Sequence, residues 1–302
     1  MRAAYKNRFG ETWKQTLAFE VYRIVAWLGR TLPTQRGRLF YTRLGHLGYR
    51  VLPKVRATVA ANQGRVLGRA PNDPVVQAST KEAFARYARY WFDTFNVVGW
   101  SDDEIAAHHL VDGREYMDAA LAEGRGVILA LPHMGNWDVS GRWVDTTGNR
   151  IISVAERLEP ARLYELFLAH RRDLKMEIIG LADQAVGQQL AGLLAQNAVV
   201  ALVADRDLTG RGVEVEMFGA TRRVPAGPAL LSISAGAPLI VVSIYEIPQG
   251  WRCVMTTPIE VEPSGDRKAD VRALTRLMAE RFELGIASSP PDWHLFQPGW
   301  PA

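Results

Sequence analysis

At 302 residues, with 48% hydrophobic and 23% charged residues and a net charge of +4, the chain has the apolar content for one large domain or two modest ones. Its single cysteine, Cys253, excludes an internal disulfide framework, and no run of about 20 apolar residues offers a membrane-spanning helix. The charge is uneven: residues 1–70 hold 14 Lys/Arg against Glu11 and Glu20, a balance of +12, while the rest holds 22 Lys/Arg against 30 Asp/Glu. A basic end on an acidic body points to a polyanionic partner, a lipid surface or a nucleic acid, or else to a solvated basic helix face.

Met1–Gly10 is polar and lacks the apolar core of a secretory signal. Thr12–Leu28 reads as a helix with a broad apolar stripe of Trp13, Leu17, Phe19, Val21, Ile24, Val25, Trp27 and Leu28. Pro33 opens a second helix carrying Leu39, Phe40, Leu44 and Leu47, with Gly45 and Gly48 weakening its interior. Val55–Leu67 is a third. Asp73-Pro74 starts a long fourth, where Ala83, Phe84, Tyr87, Tyr90, Trp91 and Phe95 recur at helical spacing, the pattern of a core seam.

After Ser101 short β-rich runs alternate with helical segments. The predicted strands are Gly126–Leu131, Ile151–Val154, Val199–Val203, Val213–Phe218, Leu239–Tyr245 and Trp251–Thr256. The predicted helices are Arg114–Glu123, Trp137–Trp143, Pro160–Asp173, Gln184–Gln196, Pro228–Ala235 and about Asp266 to Ala287. The alternation predicts an α/β fold, a mostly parallel central sheet flanked by helices. The last two strands, around Pro248-Gln249-Gly250, read as an antiparallel hairpin. We divide the chain into an N-terminal helical, basic, membrane-associating segment (1–100) and an α/β core (101–302).

The chemistry concentrates in Leu129–Asp138, "LALPHMGNWD". A buried strand ends, His133 follows in a loop, and Asn136 caps a helix with Asp138 in its first turn. Asp138 can fold back onto the proton-bearing nitrogen of His133 and leave the other nitrogen as a base. Backbone N–H groups near Gly135–Trp137 are candidate donors to an oxyanion. Arg206 lies beyond a second strand and could stabilise charge, bind a sugar, or pair with Asp205 or Asp207. Glu156 and Arg157 follow a third strand and could meet hydroxyls or pin the loop. Arg171 and Arg172 end a helix, where positive charge is favoured anyway. No second histidine supports a metal site, and no phosphate-binding glycine loop, Gly-x-Ser-x-Gly elbow or RNA-binding signature is present.

"ALPHMGNWD", "SVAERLEP", "VADRDLTGRGVEVEMFG", "RVPAGPALLSISAGAPL" and "PPDWHLFQPGW", in this order, resemble the bacterial lipid acyltransferases of the lipid A lauroyl/myristoyl type. Within that family they look most like the actinobacterial phosphatidylinositol mannoside acyltransferases. The resemblance runs over about residues 75–300 and is loose before residue 70. It implies a glycerolipid acyltransferase-like fold with helices resting on the bilayer. It also implies transfer from an acyl-coenzyme A such as palmitoyl-coenzyme A, as co-substrate with no cofactor, to a hydroxyl of a membrane glycolipid. His133 would be the general base, Asp138 its orienter, and Asp205 a further catalytic acid. Asp205 stands where the family has Glu, one methylene shorter, which bears on the acceptor pocket. Asn136, Glu156, Arg157, Arg171 and Arg206 would contact substrate, with no metal and no nucleic acid. The enzyme would sit peripherally on an anionic membrane, at the cytoplasmic face. Other readings of the same residues are a lipid A or other glycolipid or lysolipid acceptor, a thioester hydrolase, and a non-catalytic membrane-surface protein.

Overall fold

The computed structural model describes residues 9–181, 185–207 and 209–300. The polar stretch up to Arg8, Gln184 at the head of a predicted helix, and Leu208 lie outside the described residues. Four helices come first: α1 (Trp13–Thr31), α2 (Thr34–Val51), α3 (Pro53–Val66) and α4 (Pro74–Asn96). Thr12 and Gln15 form a capping box on α1, and the Asp73 side chain accepts Val75 N–H at 2.8 Å ahead of α4. A Cβ at Gly45 would lie 2.4 Å from the Phe84 carbonyl oxygen. The glycine that weakens α2 intrinsically is therefore what lets it lie close against α4.

The apolar surface of α1 divides in two. Phe19, Tyr22, Val25 and Ala26 pack on Phe95, Leu163 and Phe167, whereas Trp13, Leu17, Val21, Ile24 and Trp27 stay exposed on the other side. Leu39, Phe40, Leu44 and Leu47 of α2 are exposed as well. Among the described residues no helix is long and apolar enough to cross a membrane.

The remaining elements are α5 (Asp102–Ala107), β1 (His109–Asp112), α6 (Arg114–Ala122), β2 (Val127–Leu131), α7 (Trp137–Thr146), β3 (Ile151–Ala155), α8 (Ala161–Asp173), β4 (Glu177–Gly180), α9 (Val186–Leu194), β5 (Val199–Val203), β6 (Val213–Met217), β7 (Ala220–Val224), α10 (Gly227–Ala235), β8 (Leu239–Ile247), β9 (Gly250–Met255) and α11 (Arg267–Ser288). Seven strands form one sheet in the order β1-β9-β8-β2-β5-β3-β4. The five strands from β8 to β4 run parallel, β9 returns antiparallel to β8, and β1 pairs parallel to β9. The predicted α/β architecture and terminal hairpin are both present.

Three differences have local causes. Val213–Phe218 is not a strand of the main sheet: β6 pairs with the unpredicted β7 in a separate hairpin, whose two turn residues, Phe218 and Gly219, both have positive φ. β1 and β4 are four residues each, too short for a periodic signal. α5 has only six residues, although its capping box of Ser101 and Glu104 is written in the sequence.

The central strand β2 is buried along its whole length, as expected for a parallel sheet covered on both faces. Ile128 and Ala130 point into the layer with Leu194, Leu231 and Phe282 of α9, α10 and α11. Val127, Leu129 and Leu131 point into the layer with Met117, Val139 and Val144 of α6 and α7.

Candidate active site

Leu131 and Val203 are register partners at the carboxyl ends of β2 and β5. Two residues beyond each lie His133 and Asp205. The register thus carries both to the sheet edge where open α/β folds gather their sites. His133 Nδ1 is 2.5 Å from Asp205 Oδ1. Burial pushes the Asp205 carboxyl up, but His133, the Trp293 indole and the Arg222 guanidinium outweigh it and hold it at about 2. A carboxylate only accepts hydrogen bonds, so Nδ1 of the neutral ring carries the proton and Nε2 keeps its lone pair. His133 is partly exposed on the wall of a cavity of about 900 Å³.

Asp138 is not the partner of His133. It is 2% exposed in the first turn of α7, and its oxygens accept Tyr90 Oη–H at 2.7 Å and Arg171 Nε–H at 3.0 Å. The helix start points the side chain toward α4 and α8, away from Nδ1. Burial works against the Arg171 charge, but Asp138 and Tyr90 keep its pKa above the usual arginine value.

Asn136, expected on the substrate, is 1% exposed and its side chain is engaged within the fold. Its Oδ1 accepts from Val139 N–H and the Thr94 hydroxyl, both at 3.1 Å. It is the predicted cap of α7 and is absent from the cavity wall. Gly135 N–H, among the expected oxyanion donors, donates instead to Asp292 O at 2.9 Å. Gly135 has φ +59°, and a Cβ there would meet Ile244 O at 2.3 Å, so no larger residue fits the loop.

Arg171, Glu156 and Arg206 lie on the cavity wall. Arg206 donates to Gln297 Oε1 at 2.6 Å rather than pairing with Asp205 or Asp207. Arg157 is exposed and does not line the cavity. Asp205, read from sequence as bearing on the acceptor pocket, stands behind His133 and off the wall, because the β5 end turns it toward the imidazole. Tyr87, Tyr90 and Trp91 of the predicted core seam also face the cavity, beside Trp137. A smaller apolar slot runs under α7 against the sheet, walled by Leu131, Gly141, Val144, Ile244 and Cys253. It shares Trp137, Ser153, Met176 and Val203 with the large cavity. Among the described residues no group of acidic, histidine or cysteine side chains could hold a metal ion.

Sequence reasoning missed the part played by the C-terminal tail. Trp293 bridges Met134 in antiparallel fashion, and His294 N–H donates to His133 O at 2.7 Å. Trp293 Nε1–H donates to Asp205 Oδ2 at 2.8 Å, and Arg222 donates to Asp205 O at 2.6 Å. His294 Nε2–H reaches Gly135 O at 3.0 Å; burial, chiefly, pushes its pKa down to about 3, so the ring is neutral. The tail is tied down by Arg86 on Asp292 at 2.5 Å and by Asn62 on the carbonyls of Leu295 and Gln297. The signal was the aromatic, proline-broken "PPDWHLFQPGW" itself.

The profile of the bacterial lipid A biosynthesis acyltransferase family matches residues 11–301. A phosphatidylinositol mannoside acyltransferase of Mycobacterium tuberculosis (strain ATCC 25618 / H37Rv) is 39% identical over 247 residues, 79% of this chain and 75% of that protein. The protein of the same description from Mycolicibacterium smegmatis is 38% identical over 242 residues, 79% of this chain and 77% of its own length.

Proposed function

Because the chain belongs to the bacterial lipid A biosynthesis acyltransferase family, we propose that it moves a fatty acyl chain from acyl-coenzyme A to a membrane glycolipid, with the mannose of a phosphatidylinositol mannoside as the first acceptor to test. The observation that carries this reading is His133, with Nδ1 held by Asp205 and Nε2 left for the cavity. An acceptor hydroxyl at Nε2 loses its proton as its oxygen attacks the thioester carbonyl. The tetrahedral intermediate then expels the coenzyme A thiolate, which takes the proton from the imidazolium. Asp205 stays ionised throughout and stabilises that cation.

The large cavity of about 900 Å³ has room for an acyl chain along its aromatic and aliphatic walls, with Arg171 and Arg206 for a polar, phosphate-bearing group. With palmitoyl-coenzyme A and a phosphatidylinositol mannoside in mixed micelles, thiol release should require the acceptor. His133→Ala should lower it by about 100- to 10,000-fold in a folded protein. Thiol release independent of acceptor would make the chain a hydrolase, and normal turnover without His133 would overturn the base.

The acceptor resides in a bilayer, so the enzyme comes to the membrane, at the cytoplasmic face where acyl-coenzyme A is available. The exposed stripe of Trp13, Leu17, Val21, Ile24 and Trp27, bordered by Lys14, Arg23 and Arg30, supports peripheral docking. Each basic residue near an anionic leaflet adds about 1 kcal/mol, weakening with salt. In flotation, the full chain should bind anionic vesicles better than neutral ones, and replacing Trp13, Ile24 and Trp27 with serine should release it. Binding unchanged by those substitutions would leave α1 a purely structural helix.

A further inference from the structure

Asp205 carries a charge while almost wholly buried, and each of its oxygens has a single donor: His133 Nδ1–H on Oδ1 and Trp293 Nε1–H on Oδ2. A carboxylate held at one oxygen can swing about its last torsion, which is broad and two-fold. Held at both, its plane is fixed. The indole has one N–H and no acceptor, so this contact has a single possible polarity. Trp293 is itself 1% exposed, and its backbone is registered against the loop it serves through the bridge to Met134 and the neighbouring bond from His294 N–H to His133 O. The imidazole is thus held from two sides by one tail segment: its backbone by residue 294, and its carboxylate partner by residue 293. The Arg222 guanidinium lies 5.7 Å from the centre of the Trp293 ring and grips Asp205 O, closing the third side.

We propose that Trp293 is a positioning residue of the reaction: its indole N–H fixes the Asp205 carboxylate in the plane that holds His133 Nδ1–H, so that Nε2 stays aimed at the acceptor hydroxyl. The inference rests on His133 being the base. Trp293 is buried and does not line the cavity, so its removal should lower kcat and leave KM for palmitoyl-coenzyme A nearly unchanged. Losing one hydrogen bond to a charged group corresponds to about 10- to 100-fold in rate. It should also move the acid limb of kcat/KM. Without the indole, more of the Asp205 charge falls on the imidazolium, so His133 holds its proton more tightly and the limb shifts to higher pH.

The test uses the full chain with palmitoyl-coenzyme A and a phosphatidylinositol mannoside in mixed micelles. Trp293→Phe removes the donor and part of the ring. Benzothienylalanine at position 293, which has sulfur in place of the N–H at nearly the same volume, removes the donor alone and guards against a folding defect. Both should show the lowered kcat, the near-constant KM and the upward limb. A folded benzothienylalanine protein with wild-type kcat, or with an acid limb that stays in place or moves down, overturns the proposal. His133→Ala run alongside separates the two levels. If that variant still turns over, the base reading itself fails; if it is inactive while the position-293 proteins behave as wild type, only the role of Trp293 falls.

Discussion

Two buried carboxylates flank the loop that carries His133, and the fold engages them differently. Asp138 is five residues from His133 in the chain and takes Tyr90 and Arg171; Asp205 is 72 residues away and takes the imidazole. Sequence proximity fails here because a helix begins between His133 and Asp138 and rotates the acid toward α4 and α8. Sheet register succeeds because β2 and β5 are paired and each candidate stands two residues past the paired ends. In the proposed mechanism Asp205 thus belongs to the proton-handling side of the site. Asp138 belongs to its wall, where it keeps an arginine charged and in place.

The comparison can be broken most directly at Asp205. Asp205→Asn keeps the shape but removes the charge that stabilises the imidazolium. It should lower kcat by about 100- to 10,000-fold with little change in KM for the acyl donor, measured by thiol release. Asp138→Asn should act on the other axis. It leaves the Arg171 charge under-compensated, so stability should fall by about 3 kcal/mol in denaturant titration, and KM should rise more than kcat falls. An Asp138→Asn protein of normal stability with the kcat loss of Asp205→Asn would erase the distinction.

A pH series sharpens it further. The Asp205 carboxyl lies at about 2 in the folded chain, below its unfolded value near 3.9. A depressed acid contributes stability that is complete above the unfolded pKa and is lost as pH falls through the folded one. The stability difference between wild type and Asp205→Asn should therefore shrink by about 2 kcal/mol between pH 5 and pH 2. A constant difference over that range would mean that the carboxylate is not held ionised by its partners. The smallest effect is expected at Tyr90. Tyr90→Phe removes one donor from Asp138 while leaving Arg171 on it, at a cost of about 1–2 kcal/mol in stability and no shift in the acid limb of kcat/KM. A shifted limb would tie the Asp138 cluster to His133 after all.

Much of this was legible in the sequence. Strand ends at Leu131 and Val203, the Asn136 cap and the terminal hairpin follow from apolar runs, cap chemistry and turn residues. Which strands lie side by side does not follow from them, because the pairing of β2 with β5 skips β3 in the chain. That single unknown separated His133 from Asp205. The tail posed a different difficulty: Trp293 has no periodic pattern around it, and one indole hydrogen bond leaves no trace in composition. Asn136 misled because one residue type serves both caps and substrates, and only burial tells them apart. The α1 stripe left the covered side open, because a helix that is apolar over most of its surface does not say which side packs on the body.

The contact between Trp293 and Asp205 spans 88 residues, and this puts a clock on biosynthesis. A ribosome adding about 5–20 residues per second needs roughly 4–18 s to travel that span. Through that interval β2 and β5 have been made, and His133 and Asp205 exist on the nascent chain, but the indole that ties them has not been translated. Translation halted anywhere between residues 206 and 292 leaves a product with the histidine and the aspartate but not the tryptophan.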